Sequence, residues 1–265
     1  MADRTHYIIS DFESIYQERK PEYGFIFTDI SWEYIFMTDG PLVFFDIDNT
    51  LIQSSTGHME ALLRSIDEIY GLEASTDVIN YHGMTDQEII TGILEKYEID
   101  QATITSGLPD CLESMPRKYA QIVKSERVVI LPGVSDLLFR MEQFGIVLGL
   151  VTGNLEEIAH AKLKKVGIDH FFRVGGFGSD HINRSELVKI AIHRAEAQFD
   201  FGSRRRVFHF GDAPQDMRAG REAGVVPIGV ATGVFTADQL MSAGAQKVLP
   251  DLLDAGEILQ YLRSI

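Results

Sequence analysis

The sequence predicts an α/β fold in which a parallel sheet is covered by helices on both faces and interrupted by a helical insertion. Short apolar runs rich in β-branched residues recur, each followed by Gly, Asp, Thr or Asn and then by helical periodicity. Strands that are apolar on both faces and alternate with helices are typical of a buried parallel sheet. About a hundred residues separate the first two strands, whereas a crossover needs only ~10 to 12, so the intervening segment is an insertion.

The core strands are predicted from five apolar runs. The helix after the second run is predicted to begin with Asn154 as its N-cap and Glu157 as the capping-box partner, and to stop at Gly167. The runs are LVFFDI (42–47), IVLGLV (146–151), RVFHF (206–210), VPIGVA (226–231) and the weaker KVLP (247–250).

The insertion is predicted to be a helical cap domain. It contains the helical segments HMEALLRSIDEIYG, MTDQEIITGILEKYE and LESMPRKYAQIVKSE and no convincing strand. The cap is therefore assigned to residues 56–130, and the core to residues 41–55 and 131–265. Residues 1–40, with partly alternating aromatic residues and a terminal Asp-Gly turn signal, are predicted to be an N-terminal extension that forms a strand or hairpin, with no functional role assigned.

Composition and charge restrict the class of protein. The chain has 265 residues, 45% of them hydrophobic, and its 39 acidic and 24 basic residues give a net charge of -15. This excess of negative charge argues against nucleic acid or an anionic membrane as the main partner. Charged residues near the N-terminus and the lack of ~20 consecutive apolar residues argue against a signal peptide or membrane span. The single cysteine, Cys111, indicates a reducing, cytoplasmic location and is expected to be structural.

Two aspartates follow the first predicted strand, where a buried run ends in Asp46 and Asp48. Ligands of open parallel sheets bind beyond the carboxyl ends of the strands. Because the two residues are two apart, their side chains can lie on the same side of the chain, where the like charges repel unless a cation or proton offsets them. The alternative is a solvated strand end followed by a turn.

Two further strands end in polar residues that favour the first interpretation. The second strand leads through Thr152, Gly153 and Asn154 into a helix N-terminus, which can bind an anion. The strand at 206–210 is followed by Asp212 and Asp216. Carboxylate oxygens select Mg²⁺, a hard cation that also accepts phosphate oxygens. The combination predicts phosphoryl transfer.

These motifs resemble the haloacid dehalogenase superfamily. The matching strings are DIDNT at 46–50, VTGN at 151–154, a basic residue within 184–189, and GDAPQD at 211–216, and the resemblance covers residues 41 to 231 in order. It implies a Rossmann-like core. The second aspartate argues against halide chemistry, and a helical cap between the first two motifs is similar to the phosphoglycolate phosphatase and β-phosphoglucomutase branch, the phosphatases most closely.

The resemblance also implies residue roles. Asp46 would be the nucleophile that forms an aspartyl-phosphate, and Asp48 the acid and then the base for the attacking water. A Mg²⁺ ion would be held by Asp46, the backbone carbonyl of Asp48 and Asp212, with Asp216 as a further or more distant ligand.

The same resemblance places Thr152 and the amides of Gly153 and Asn154 around the phosphoryl oxygens. It also requires a basic residue, for which the chain offers Arg184 and Lys189. On a helical wheel, Arg184 lies beside the apolar face at the helix N-terminus and Lys189 faces solvent. We therefore assign Arg184 and keep Lys189 as the alternative; a surface ion pair is the other possibility for Arg184.

A segment of the cap is expected to cover the phosphate. In HGMTD at 82–86, Thr85 and Asp86 are the candidate substrate-binding residues. The alternative is that one of them caps the following helix, where Ser, Thr and Asp are favoured anyway. For His82, a surface or packed position is the alternative to a ligand role.

The predicted function is a Mg²⁺-dependent phosphatase that hydrolyses a small phosphorylated metabolite, a phosphoglycolate-like monoester. A phosphomutase or pyrophosphatase with the same catalytic set is the enzymatic alternative. A non-catalytic binding module with the same fold is the alternative from another class, and the full set of carboxylates argues against it.

Overall fold

The computed structural model describes residues 40–199 and 206–265. The predicted strand or hairpin within residues 1–40 therefore lies outside the described residues, apart from Gly40. The strands, in chain order, are β1 (Leu42–Phe45), β2 (Ile52–Ser54), β3 (Val128–Ile130), β4 (Val147–Thr152), β5 (Val174–Phe177), β6 (Val207–Gly211), β7 (Val226–Val230) and β8 (Lys247–Leu249).

Nine α-helices lie in the described part of the chain, with two short 3₁₀ turns at Thr76–Val78 and Asp169–Phe171. None of these helices combines the length and apolarity needed to cross a membrane. The helices are α1 (Gly57–Tyr70), α2 (Asp86–Lys96), α3 (Gln101–Ile122), α4 (Val134–Gln143), α5 (Glu156–Lys165), α6 (Arg184–Gln198), α7 (Pro214–Glu222), α8 (Ala237–Ala243) and α9 (Ala255–Ser264).

The predicted α/β class is confirmed by a six-stranded parallel sheet in the order β5-β4-β1-β6-β7-β8. Strand β1 lies in its interior, and all four of its residues are buried. Val43 and Phe45 belong to the apolar cluster that includes residues of α4 and α9. Leu42 and Phe44 belong to the cluster that includes residues of α6. Both faces of the strand are therefore covered, which explains why its sequence shows no apolar–polar alternation.

The inserted helices α1 to α3 form an apolar cluster of their own, which also takes in Leu155 and Ile158 from the core. Cys111 is fully buried within this cluster. Burial raises the pKa of its thiol to about 12, so the thiol stays protonated and inert, as a structural cysteine should.

The two linkers between core and insertion pair with each other. Strands β2 and β3 form an antiparallel ribbon, although the sequence pattern gave no strand there. Beside it, the buried Glu126 carboxylate accepts hydrogen bonds from the Gly57 amide at 3.0 Å, the Ser55 hydroxyl at 3.3 Å and the Tyr119 hydroxyl at 2.5 Å. This carboxylate thus connects the outgoing linker and the inserted helices to the returning linker.

One local prediction about the core is wrong. Helix α5 begins at Glu156 with Leu155 at the N-cap position and no side-chain cap, so Asn154 does not cap it. The reason is competition for the amide: Asn154 donates from Nδ2 to the Asp48 carboxylate and to the Thr152 hydroxyl, and its Oδ1 accepts from Lys162. Strand β5 was also missed by the sequence patterns.

Candidate active site

Three carboxylates meet at the carboxyl edge of the sheet. Asp46 follows β1, Asp212 follows the neighbouring β6, and Asp216 lies in the first turn of α7. Each is at most 6% exposed, and one oxygen from each lies within 4.8 Å of the others. In the part of the chain that the structure describes, this is the one group of three potential metal ligands.

Arg184 binds two of these carboxylates. Its Nη2 donates to Asp46 Oδ1 at 2.7 Å, and its Nε lies 2.7 Å from Asp216 Oδ1. Its Nη1 donates to the backbone carbonyl of Gly83 in the inserted segment at 3.1 Å. Lys189 is instead exposed and pairs with Glu186 on its own helix. The geometry therefore brings Arg184, and not Lys189, to the carboxylates.

Burial and neighbouring negative charges raise the pKa values of the two carboxyls at the strand ends, Asp46 and Asp212. Burial, the charge of Asp216 and the charge of Asp48 raise the pKa of Asp46 to about 7 even though Arg184 opposes the shift. Burial and the charges of Asp46 and Asp216 raise the pKa of Asp212 to about 9. A divalent cation would offset this repulsion, and carboxylate oxygens are the donors that Mg²⁺ accepts. The donor set therefore fits Mg²⁺.

The raised pKa values predict how the stability of the metal-free protein depends on pH. A carboxyl whose folded pKa exceeds its unfolded value stabilises the fold below the unfolded pKa, and this contribution is lost as the pH rises through the folded pKa. The pKa values of Asp46 and Asp212 are about 7 and about 9 in the folded protein, against 3.8 for an ordinary aspartate. The melting temperature in EDTA, at constant ionic strength, should therefore fall as the pH rises from about 5 to about 9.

Thermal melts with Mg²⁺ in place of EDTA should show a smaller fall over the same pH range, because a bound cation favours the ionised carboxylates. The variant Asp212→Asn, which removes the group with the higher pKa, should also show a smaller fall in EDTA. Identical pH profiles with and without Mg²⁺ would contradict the assignment of these carboxylates to a cation site.

Asp48 lies beside the carboxylate cluster in a different environment. Its side chain accepts hydrogen bonds from Lys162 Nζ at 2.6 Å, Asn154 Nδ2 at 2.9 Å and Ser54 Oγ at 3.2 Å. Burial alone would raise the pKa of Asp48, but the Lys162 ammonium and the hydrogen bonds from Lys162 and Asn154 lower it to about 2. Asp48 is therefore ionised in this geometry.

Lys162 and His58 were not among the predicted site residues. Lys162 is fully buried on α5, four residues after the buried Ile158 and three after the buried Ala159. That spacing places Lys162 on the apolar face of the helix, so a helical wheel is the sequence signal that could have identified it.

The predicted phosphate-binding residues lie next to Asp48. Thr152 is fully buried at the end of β4, and its hydroxyl oxygen accepts from the Asn154 amide N–H at 3.3 Å. Gly153 lies where the inserted segment touches the core: its carbonyl accepts from the Asp86 N–H at 2.9 Å. Asn154 thus contacts Asp48 directly, and phosphate binding by Thr152, Gly153 and Asn154 stays a prediction.

The inserted segment 82–87 contacts the core at several backbone and side-chain groups. The Thr85 hydroxyl donates to the Ile182 carbonyl at 3.0 Å, and Asp86 accepts from the Leu155 N–H at 2.9 Å. Gln87 donates to the Gly178 carbonyl at 2.6 Å. The alternative assignment of Thr85 as a helix cap is confirmed, since it forms a capping box with Glu88. Substrate contact by Thr85 and Asp86 stays a prediction.

His82 lies at the edge of the same segment. Its ring is 5.0 Å from that of Tyr81 and 6.5 Å from that of Phe235, and its carbonyl accepts from Gln215 Nε2 at 2.8 Å. The imidazole therefore packs among aromatic rings, which is the alternative kept open for this residue.

The close approach of core and inserted segment makes Gly153 sensitive to substitution. A Cβ atom at Gly153 would lie 2.4 Å from the Met84 carbonyl oxygen and 2.9 Å from Thr85 Cα. We expect Gly153→Ala to displace the segment and lower kcat/KM about 10- to 100-fold, measured with a phosphate ester. Gly92→Ala, whose Cβ meets nothing closer than 3.8 Å, is the matched control. Unchanged kinetics of the Gly153 variant would contradict this contact.

Comparison with known families agrees with the geometry. The model of the family described as haloacid dehalogenase-like hydrolase matches residues 43–230, which is more than half of the chain and includes every residue of the carboxylate cluster. The chain belongs to the haloacid dehalogenase-like hydrolase family.

Curated relatives of this haloacid dehalogenase-like hydrolase include phosphatases. It is 26% identical over 218 residues to a phosphoglycolate phosphatase of Pseudomonas syringae pv. syringae (strain B728a), covering 80% of this chain and 76% of the relative. It is 24% identical over 228 residues to a phosphorylated carbohydrates phosphatase of Thermotoga maritima, covering 84% and 98%. Together with the family, these relatives confirm the predicted enzyme class, a phosphoric monoester hydrolase.

Solved structures confirm the fold of the haloacid dehalogenase-like hydrolase. A hydrolase from Pseudomonas syringae superposes with a TM-score of 0.60 at 22% identity, covering 85% of this chain and 99% of that one. A haloacid dehalogenase-like protein from Streptococcus pneumoniae gives a TM-score of 0.57 at 20% identity, with coverage of 85% and 99%.

Proposed function

We propose that this hydrolase is a Mg²⁺-dependent phosphatase of a small phosphorylated metabolite, a phosphoglycolate-like monoester, with residues 56–130 acting as a cap domain. The observation that carries the proposal is the buried cluster of Asp46, Asp212 and Asp216, to which Arg184 adds a fixed positive charge. The similarity to a phosphoglycolate phosphatase and to a phosphorylated carbohydrates phosphatase supports a phosphorylated substrate. The lone cysteine supports a cytoplasmic location.

In the proposed site, Mg²⁺ would be held by the carboxylates of Asp46 and Asp212 and by the backbone carbonyl of Asp48. Asp216 stands behind them as a further ligand or as the partner of Arg184, since its Oδ1 faces Arg184 and its Oδ2 accepts from the Ala213 N–H at 3.1 Å. When bound, Mg²⁺ offsets the negative charge of the carboxylates and of the phosphoryl group.

The proposed reaction has two displacements at phosphorus. In the first, an Asp46 carboxylate oxygen attacks phosphorus, the ester P–O bond breaks, and the leaving oxygen takes a proton from the Asp48 carboxyl. In the second, Asp48 removes a proton from water, whose oxygen displaces the phosphoryl group from Asp46 as inorganic phosphate. Because Asp48 is ionised in the present geometry, its first proton has to arrive with the substrate, as the monoanion of a phosphate ester can supply it.

In this proposal, the phosphoryl group is oriented by Arg184, Thr152 and the backbone amides of Gly153 and Asn154. Arg184 fixes Asp46 for attack, and its planar guanidinium can hold a carboxylate and a phosphoryl oxygen at the same time. The segment around Thr85 and Asp86 excludes water and limits the size of the leaving group.

The proposal is tested by measuring release of inorganic phosphate from a panel of small phosphate monoesters, including phosphoglycolate, sugar phosphates and p-nitrophenyl phosphate, with Mg²⁺ and with EDTA. We expect hydrolysis only with the metal, and the highest kcat/KM on a small monoester. Hydrolysis that is unaffected by EDTA, or the absence of phosphate release from every ester, would overturn it.

A further inference from the structure

A fully buried lysine adjoins the proposed site and takes no part in the reaction described above. The Nζ of Lys162 donates to Asp48 Oδ2 at 2.6 Å and to Asn154 Oδ1 at 2.6 Å, and it lies 3.0 Å from His58 Nδ1. Lysine is seldom fully buried unless it is paired, because desolvating the ammonium is costly. All three hydrogens of this ammonium have a partner, so its position is fixed.

The hydrogen-bonded chain continues from Lys162 into the inserted helices. His58 in α1 lies 3.0 Å, through its Nε2, from an Asp86 carboxylate oxygen. Asp86 in α2 in turn accepts from the Leu155 N–H of the core at 2.9 Å. Because the ammonium uses Nδ1 of His58 as an acceptor, the ring proton belongs on Nε2, where it is donated to Asp86. The order is thus Asp48, Lys162, His58, Asp86, with the first two from the core and the last two from the insertion.

We infer that Lys162 is a positioning residue that holds the Asp48 carboxylate in place, and that its contact with His58 and Asp86 makes this positioning depend on the docking of the inserted helices. The inference rests on the proposed function. A single nitrogen with three tetrahedrally arranged donors can reach an acid, an amide and an imidazole in three directions, which the planar fork of an arginine cannot.

A purely structural role accounts less well for these contacts. A buried ion pair is often replaced by apolar residues without loss of stability, so packing alone does not call for a charge at this position. Lys162 also contacts Asp48 itself, the residue whose proton transfer is required for poor leaving groups. A misplaced Asp48 should therefore slow the cleavage of alkyl esters, which need protonation, far more than that of p-nitrophenyl phosphate, whose leaving group needs least.

The test compares Lys162→Met with Asp48→Asn on an alkyl phosphate and on p-nitrophenyl phosphate, in Mg²⁺ and with the whole chain. We expect Lys162→Met to lower kcat/KM about 100-fold on the alkyl ester and less than about 5-fold on the aryl ester, with Asp48→Asn showing the same selectivity. Lys164→Met, which changes an exposed lysine of the same helix, should change neither value by more than about 2-fold.

Equal losses on the two esters, or no loss on either, would overturn the inference. If Lys162→Met does not fold, His58→Leu carries the same test, since it keeps the lysine–carboxylate pair and removes its connection to the insertion; failure of both to fold would show that the network is structural and also overturn the inference. Failure of the proposed function itself is separate, because the wild-type protein would then hydrolyse neither ester.

Discussion

Replacing the predicted nucleophile by its amide, Asp46→Asn, is expected to reduce kcat by at least about 1000-fold. The change preserves side-chain volume but removes the attacking oxygen anion and weakens a ligand of the proposed metal. The fold should persist, because burial and the charges of the neighbouring carboxylates already disfavour an anion at this position and raise the pKa of Asp46 to about 7. Steady-state hydrolysis of p-nitrophenyl phosphate and a thermal melt are the two measurements.

The matched control for this variant is Asp136→Asn, which changes an exposed aspartate that pairs with Arg140 on α4. It should retain wild-type turnover, because surface ion pairs away from the site contribute little. A residual activity of Asp46→Asn above a few per cent, in preparations free of wild-type protein, would show that a different group attacks phosphorus.

Removing the guanidinium with Arg184→Met is expected to cost about 100- to 1000-fold in kcat/KM. Arg184 binds both Asp46 and Asp216 and reaches the Gly83 carbonyl, so the variant loses the group that orients the nucleophile and balances the carboxylates. It should also lower the free energy of unfolding by about 3 to 5 kcal/mol, because two buried carboxylates lose their cationic partner.

Two companion variants complete the test of Arg184. The first separates its charge from its shape, and the second tests the alternative basic residue. Arg184→Lys retains the positive charge but cannot contact three groups in a plane, so its activity should be intermediate. Lys189→Met removes an exposed lysine that pairs with Glu186 and should leave kcat/KM within about 2-fold of wild type. Loss of turnover in Lys189→Met together with normal turnover in Arg184→Met would reverse the assignment of the basic residue.

The sheet was predictable from the sequence because its central strands are apolar on both faces. Strand β5 was missed because two of its four residues, Gly175 and Gly176, provide no side chain on which a pattern could rest. The linker strands β2 and β3 were missed because each has only three residues. Their pairing comes from the antiparallel approach of the two linkers, which no local pattern describes.

Within the candidate site, residues at strand ends were predictable and residues that reach the site from helices were less so. Asp46, Asp212 and Thr152 follow apolar runs, and parallel topology brings such positions to one edge. Arg184 was found because a helical wheel separated it from Lys189. Lys162 was missed because its burial depends on three partners that come together only in the folded chain.

The most direct test of the proposed mechanism is a search for a phosphorylated enzyme. Wild-type protein is mixed with ³²P-labelled substrate and Mg²⁺, quenched in acid within the first turnover, digested and mapped by mass spectrometry. We expect label on the peptide that contains Asp46, sensitive to hydroxylamine as an acyl phosphate should be, and no label in Asp46→Asn. Rapid turnover without labelled enzyme at any quench time, or label on another residue, would contradict nucleophilic attack by Asp46.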